Sequence, residues 1–245
     1  MKLAILSDIH ANWHALERVI YHVDQVTTPD QVICLGDVVG YNAFPAECMF
    51  MVKDRGWECL MGNHDEAVVD DQSAQLLRSE ALEVVMWTRQ QLTEYELAWL
   101  KQRPYFSQIE EDLSFTHASF SDQSKWPYIK NTIEARHGFE GLTTKLGFYG
   151  HTHRPKVFHQ KGVGVEEFEL EKQFDFSSLV GACLVNVGSV GQPRDGDWRA
   201  SYCVFDTTTQ RLEHHRIEYD IRSAAQAVID AGLPKSLAER LFKGA

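Results

Sequence analysis

The chain has 245 residues, 44% of them hydrophobic and 24% charged, which is ordinary globular usage and excludes a disordered or fibrous polymer. A formal net charge of −11 removes the sequence-independent attraction that basic proteins have for phosphate backbones, so long duplex nucleic acid is not an expected partner. No apolar run approaches the roughly 18 residues of a membrane span, and the four apolar residues after Lys2 are too few for a secretory leader, so a soluble, unprocessed single domain over 1–245 is expected.

Leu3 to Leu6 reads as a buried strand. Trp13, Leu16, Val19, Ile20 and Val23 then recur at helical spacing, and Val32 to Leu35 forms the next strand after the Pro29-Asp30 break. A second helix around Ala46 to Lys53 leads to a strand near Trp57 to Met61. Short apolar runs alternating with amphipathic segments predict βαβ units on a mostly parallel sheet. Ser73 to Lys101, rich in Leu, Glu, Gln and Arg without Gly or Pro, predicts one or two helices ending before Pro104. From Tyr105 the character becomes β-rich, with strand-like runs at Tyr105–Ile109, Leu113–His117, Gly147–Tyr149, Val157–His159, Ala182–Val187, Tyr202–Phe205 and Leu212–Ile217. Ser223 to Phe242 reads as two short helices split at Gly232–Pro234. A βα half followed by a β-rich half predicts a four-layer α/β sandwich, with two mixed sheets face to face and helices outside.

Five polar clusters fall where these strands end: Asp8-x-His10, Gly36-Asp37, Gly62-Asn63-His64-Asp65, His117 and Gly150-His151-Thr152-His153. Ligands of open α/β sheets bind at the carboxyl ends of strands, so clusters far apart in sequence can converge there. Carboxylate, imidazole and one amide oxygen, without thiolate, suit divalent Mn, Fe, Zn, Ni or Co better than a thiol-seeking ion or an all-oxygen calcium site. A carboxylate can bridge two such ions, the arrangement that clamps attacking and leaving oxygens in a phosphoryl displacement, and Asp37 is the expected bridge. Glycines ahead of Asp37, Asn63 and His151 are expected to relax the strand-to-loop turns. The odd set Cys34, Cys48, Cys59, Cys183 and Cys203 has no close pair of zinc or redox spacing and fits a reducing cytoplasm.

From Leu3 to about Phe205 the ordered clusters resemble the calcineurin-like metallophosphoesterases, specifically their small bacterial and archaeal phosphodiesterases. The resemblance implies two divalent ions, manganese foremost. Asp8, His10 and His153 would hold one, Asn63, His117 and His151 the other, with Asp37 between them. It further implies that His64, as an imidazolium, assists the leaving oxygen, that Asp65 can orient it, and that the nucleophile is hydroxide generated at the metals. The implied reaction is hydrolysis of a small phosphate ester, most naturally a diester, with nucleotides among the candidates, in the cytoplasm and away from membranes. A monoesterase or protein phosphatase, or a dinucleoside polyphosphate hydrolase, shares the same core. A non-catalytic scaffold of this fold should have lost ligands, whereas all seven are present here.

Several residues keep two readings. His64 either acts on the leaving group or only positions phosphate by a hydrogen bond, and Asp65 either orients His64 or caps the following helix. Arg194, in the segment Asn186 to Asp195 that resembles the family's late motif with Val187 where Pro is common, either binds substrate phosphate or pairs with Asp195 or Asp197. Trp126 and Tyr128, in a loop lacking the Arg of many relatives, either stack on an aromatic substrate or pin the loop. His14, His22, His137, His159, His214 and His215 are expected to face solvent, and Cys34 to be a core thiol.

Overall fold

The computed structural model describes residues 1–77 and 79–245. Its first part runs β1 (Lys2–Leu6), α1 (Trp13–His22), β2 (Gln31–Cys34), α2 (Pro45–Asp54), β3 (Glu58–Cys59) and α3 (Asn63–Val69). The next stretch holds α4 (Asp71–Gln75), α5 (Ser79–Gln91) and α6 (Glu94–Lys101). Then come β4 (Phe106–Ile109), β5 (Leu113–Thr116), α7 (Thr132–Glu140), β6 (Leu146–Tyr149), β7 (Lys156–Lys161) and β8 (Gly164–Glu169). The last elements are β9 (Gln173–Asp175), β10 (Cys183–Asn186), β11 (Ala200–Asp206), β12 (Arg211–Ile217), α8 (Ile221–Asp230) and α9 (Lys235–Lys243).

The strands form two mixed six-stranded sheets, ordered β3-β2-β1-β11-β12-β9 and β4-β5-β6-β10-β7-β8. Strands β3, β2 and β1 pair in parallel, as do β5, β6 and β10, while β11 and β7 join their sheets antiparallel. Period-2 alternation separates the faces. Leu3 and Ile5 enter the core between the sheets with Phe115, Phe148 and Phe205, whereas Ala4 and Leu6 turn outward to the helices. On the far side Tyr149, Phe158 and Leu184 pack with Phe139 of α7. The expected four layers are therefore present, but unequally. Helices α1, α8 and α9 contribute Leu16, Val228 and Leu237 to one outer layer, and α7 supplies the helical residues Ala135 and Phe139 of the other.

The structure departs from the expected elements in four places, one of them the short edge strand β9, which no apolar run marks. Three helices, not one or two, occupy the stretch around Ser73 to Lys101, within which residue 78 lies outside the described residues. Helix α7 has no counterpart among the expected elements, and it contains Gly138. A Cβ there would lie 2.7 Å from Ile129 Cδ1 and 3.1 Å from Leu184 Cδ1, so glycine lets the helix approach the sheet. Strand β8, Gly-Val-Glu-Glu-Phe-Glu, is an edge strand too acidic to look apolar, and its charges keep another strand from adding there. Among the described residues no helix is long and apolar enough to cross a membrane.

Candidate metal centre and its cleft

All five clusters lie at the carboxyl ends of neighbouring strands. Asp8 and His10 follow β1, Asp37 follows β2, Asn63 and His64 open α3 after β3, His117 follows β5, and His151 and His153 follow β6. Because β1, β2 and β3 run parallel, as do β5 and β6, their ends open on one edge of the stacked sheets.

Five of the seven expected ligands hold the left-handed backbone region: Asp8 at φ 55°, His10 at 49°, Asp37 at 53°, His151 at 60° and His153 at 58°. Such conformations in non-glycine residues concentrate at functional sites, and they explain how an i, i+2 pair such as His151 and His153 can face one centre rather than diverge. Of the preceding glycines, Gly36 uses its backbone freedom, at φ 105°, while Gly62 and Gly150 serve close approach. A Cβ on Gly62 would stand 2.1 Å from Asp37 N, and one on Gly150 1.9 Å from Ser7 Oγ, so only hydrogen fits where these turns meet.

The rings are aimed by their outer nitrogens. Nδ1 of His10 donates to the Val39 carbonyl (3.1 Å), Nδ1 of His117 to Leu35 (3.1 Å) and Nδ1 of His153 to Gln192 (2.6 Å). That turns each Nε2 inward, as a lone pair on His10 and His153 and, on His117, as the position a proton holds until a metal displaces it. His151 is reversed: its Nε2 donates to the Trp126 carbonyl (3.1 Å), which leaves Nδ1 as its inward atom. Asp37 Oδ2 lies 3.5 Å from His10 Nε2 and 3.3 Å from His117 Nε2. Asp8 Oδ1 lies 3.1 Å from His153 Nε2, and Asn63 Oδ1 3.2 Å from His117 Nε2. Possible ligand atoms gather as Asp8-His10-His153 and Asp37-His117-His151, each group within 4.8 Å, with His10, Asp37 and His64 forming a third.

These residues fit a cation. Asp8 Oδ1 is buried without a hydrogen-bond partner among the described residues. Nε2 of His10 and of His153 stand 3.2 Å apart although both rings spend their proton outward, so two lone pairs oppose each other until a positive charge separates them. Burial opposes ionisation of Asp37, yet the His117 and His64 rings hold its carboxyl well below the usual range, and His153 does the same for Asp8. Burial likewise opposes charge on His117, but Asp37 and Asp8 raise it to about 9. In the metal-free protein a proton thus sits where the donor set asks for a cation.

His64 is different. Burial lowers it to about 4, with Asp37 raising it and the Arg194 charge offsetting part of that help, which favours the neutral ring near pH 7 in the metal-free protein. Its ring lies 4.4 Å from that of Tyr41 and 5.0 Å from that of His10. Asp65 takes the capping role, not the orienting one: its carboxylate accepts from the amides of Val38 (3.3 Å), Val39 (3.1 Å) and Gly62 (3.2 Å), locking the Asp37 loop to the start of α3. Burial and the Asp37 charge push it up to about 7.

Arg194 pairs with neither Asp195 nor Asp197, which hold Arg216 and Arg199 respectively. It donates to Gln192 Oε1 (2.8 Å), lies 5.5 Å above the Tyr41 ring, and lines a cleft of about 810 Å3 together with Asn63 and His64. Trp126 pins its loop by donating Nε1 to Glu66 (2.8 Å) on α3. Tyr128 stacks on His151, ring centroids 4.1 Å apart.

Sequence reasoning missed the bracing residues. Ser189 Oγ donates to the Asp8 carbonyl (2.8 Å), Asn42 Nδ2 to that of His10 (2.8 Å), and Asn186 Nδ2 to that of Gly150 (2.5 Å). Asn186 and Ser189 lie in the late motif, which carried a signal without a role; Asn42 and Tyr41 carried none. Of the histidines expected at the surface, His159 and His214 are buried instead, held by the Val180 carbonyl (3.0 Å) and Ser201 Oγ (2.8 Å), and His22 is half-buried against Tyr202. All five cysteines are free and buried.

The charge pattern predicts acid sensitivity in chelated protein. Burial holds His10, His64, His151 and His153 below the ordinary value, His64 to about 4 and His151 to about 3. Burial lowers His22, His214 and His215 as well, so the unfolded chain takes up protons near pH 6.5 on these seven rings that the folded chain refuses until lower pH, and this share of stability is lost as pH falls through that window. His117 is charged in both states there and adds no slope; its stabilisation disappears only as pH rises toward 9. Asp65 opposes, one group against seven. Calorimetry in chelator should show the thermal midpoint falling from pH 6.5 to 4.5, and a flat or rising midpoint would contradict this account.

A family model of the calcineurin-like phosphoesterase superfamily domain matches residues 1–210. Over 253 residues, 99% of this chain and 98% of the relative, the chain is 32% identical to an uncharacterized protein of Methanocaldococcus jannaschii. Among solved structures, a metallophosphoesterase from Sphaerobacter thermophilus is similar at a TM-score of 0.86 and 35% identity, covering 100% of both chains. A hypothetical protein of Pyrococcus horikoshii shares the fold at a TM-score of 0.82 and 15% identity, over 100% of this chain and 98% of that one.

Proposed function

The chain belongs to the calcineurin-like phosphoesterase superfamily and is a phosphoester hydrolase, and from that premise we propose that it cleaves a phosphodiester with two divalent ions, manganese foremost. The observation that carries the two-ion reading is the position of Asp37 Oδ2, 3.5 Å from a ring of one ligand group and 3.3 Å from a ring of the other. Asp8, His10 and His153 would hold one ion and Asn63, His117 and His151 the second, with Asp37 shared. Bound there, the ions would neutralise phosphate charge and acidify a water.

The chain's own residues do the rest. Arg194, without a carboxylate partner among the described residues, offers its donors to the scissile phosphate from the cleft wall. His64, neutral by burial, serves as a hydrogen-bond donor to the departing oxygen rather than as a full acid. Asp65 keeps the Asp37 loop and α3 in register, and so acts on the reaction through others. A cleft of about 810 Å3 admits both arms of a diester, which favours that substrate over a bare monoester. Both sheets supply ligands, so residues 1–245 act as one unit, and five free thiols fit a reducing cytoplasm.

Manganese-dependent hydrolysis of bis(4-nitrophenyl) phosphate, measured beside 4-nitrophenyl phosphate, tests the reading. Diester turnover exceeding monoester turnover is expected. Monoester turnover alone would make the protein a phosphomonoesterase, and no turnover of either ester by fully loaded protein would remove the general phosphodiesterase.

A further inference from the structure

We propose that the cleft beside the metal ligands contains a second anion subsite, built on Arg154 and Lys130, and that the preferred substrate carries a further phosphate group beyond the scissile one. This rests on the phosphoesterase reading above and names the substrate class of that same site.

The cleft is lined by four cations, Lys130, Arg154, Arg194 and Arg240, against a single acidic side chain, Glu80. The chain as a whole carries 24 lysines and arginines against 35 acidic residues, so a rim of average composition would be acidic. The four cations also come from separate stretches of chain that converge only in the fold. Their present partners divide them. Arg240 lies 3.6 Å from Glu80, and Glu80 also takes a hydrogen bond from Ser236, so that pair is already satisfied. Arg194 sits over Tyr41 beside His64, where the scissile phosphate belongs.

Arg154 and Lys130 remain. Neither pairs with a carboxylate among the described residues, and both are exposed and line the cleft. The backbone of Arg154 is held: it directly follows His153, whose φ is 58°, and its amide donates to Thr152 Oγ1 (3.4 Å). Lys130 Nζ rests 3.9 Å from the centroid of the Tyr128 ring, whose own stacking on His151 ties it to the metal ligands. Two unpaired cations held beside a cleft focus potential on whatever enters it.

The aromatic rings argue for charge rather than stacking as the mode of recognition. Tyr128 has His151 on one face, at 4.1 Å and 21° between planes, and Lys130 over the ring as well, so it offers no free face to a nucleobase. Trp126 stands edge-on to His117 with its Nε1 committed to Glu66. What the cleft presents beyond the scissile position is guanidinium and ammonium, which match a phosphate dianion.

Two diesters with the same leaving group separate this subsite from the chemistry: methyl 4-nitrophenyl phosphate and 3-phosphonopropyl 4-nitrophenyl phosphate, each with manganese-loaded protein. The phosphonate-bearing ester is expected to show a kcat/KM about tenfold higher, expressed in KM, and the advantage should vanish in an Arg154→Gln, Lys130→Gln protein and persist in Arg154→Lys. Equal kcat/KM values for wild type, or an advantage that survives the double substitution, would overturn the proposal. Calorimetric titration of loaded protein with 1,3-propanebisphosphonate against propylphosphonate gives a readout free of turnover. If neither diester is cleaved, the phosphodiesterase reading fails alone: tighter bisphosphonate binding lost in the double variant still supports the subsite, and equal binding of the two phosphonates removes it.

Discussion

Asp37→Asn is expected to reduce phosphodiester kcat/KM on the order of a thousandfold and to leave fewer than two divalent ions per chain after gel filtration. The substitution keeps the volume and keeps an oxygen to accept the 2.8 Å bond from His64 N, so the turn that opens α3 has no reason to unfold. What it removes is the charge that both ligand groups share: Oδ2 faces His10 and His117 together. The amide offers one neutral oxygen in place of two anionic ones, too little to attract and bridge two divalent ions. Metal content by atomic absorption and turnover should fall together, with the circular dichroism spectrum unchanged. Retention of two ions with turnover within tenfold of wild type would mean that Asp37 is not the bridge.

The same geometry shows why the ligands were legible and their support was not. Asp8-x-His10, Gly62-Asn63-His64-Asp65 and Gly150-His151-Thr152-His153 are short, local and chemically unmistakable as donor sets, and apolar runs ahead of them mark the strands that end there. Their convergence needs β1, β2 and β3 to lie side by side in one sheet and β5 and β6 in the other, a long-range pairing that the rule of carboxyl ends anticipates without supplying the strand order. The protonation of His64 was not legible at all. The resemblance implied an imidazolium, but burial outweighs the help from Asp37 and favours the neutral ring. Asp65 was ambiguous for a similar reason, since its partners are backbone amides whose positions no residue type announces.

Strain and bracing belong to one design. Five ligands in the left-handed region each cost about 1–3 kcal/mol of backbone strain, so the surrounding bonds must over-determine the turns. Ser189 and the Gly191 amide both bond the Asp8 carbonyl, Asn42 holds that of His10, and Asn186 that of Gly150. Each brace comes from a segment distant in sequence from the turn it holds, which couples the stability of the late motif to the shape of the metal centre.

For His64→Gln the expected loss depends on the leaving group. Metal content should stay at the wild-type value, because the resemblance to the family places His64 outside the two ligand sets and the side chain of Asn63 beside it is untouched. With 4-nitrophenolate leaving, a weak base that departs unaided, turnover should fall only about tenfold, the contribution of a positioned hydrogen bond. With an alkoxide leaving, negative charge accumulates on a strongly basic oxygen in the transition state, where a donor in a water-poor site is worth most, and the loss should reach about a thousandfold. A neutral ring also means that wild-type kcat should show no acidic limb near pH 6.5 from His64, since burial holds its titration near 4. Measuring kcat for a series of methyl aryl and methyl alkyl phosphates with both proteins gives the two slopes against leaving-group pKa. A steeper slope in His64→Gln places the side chain at the departing oxygen. Parallel lines would assign His64 to holding phosphate in both ground and transition states, and the leaving group would then depart without help from this ring.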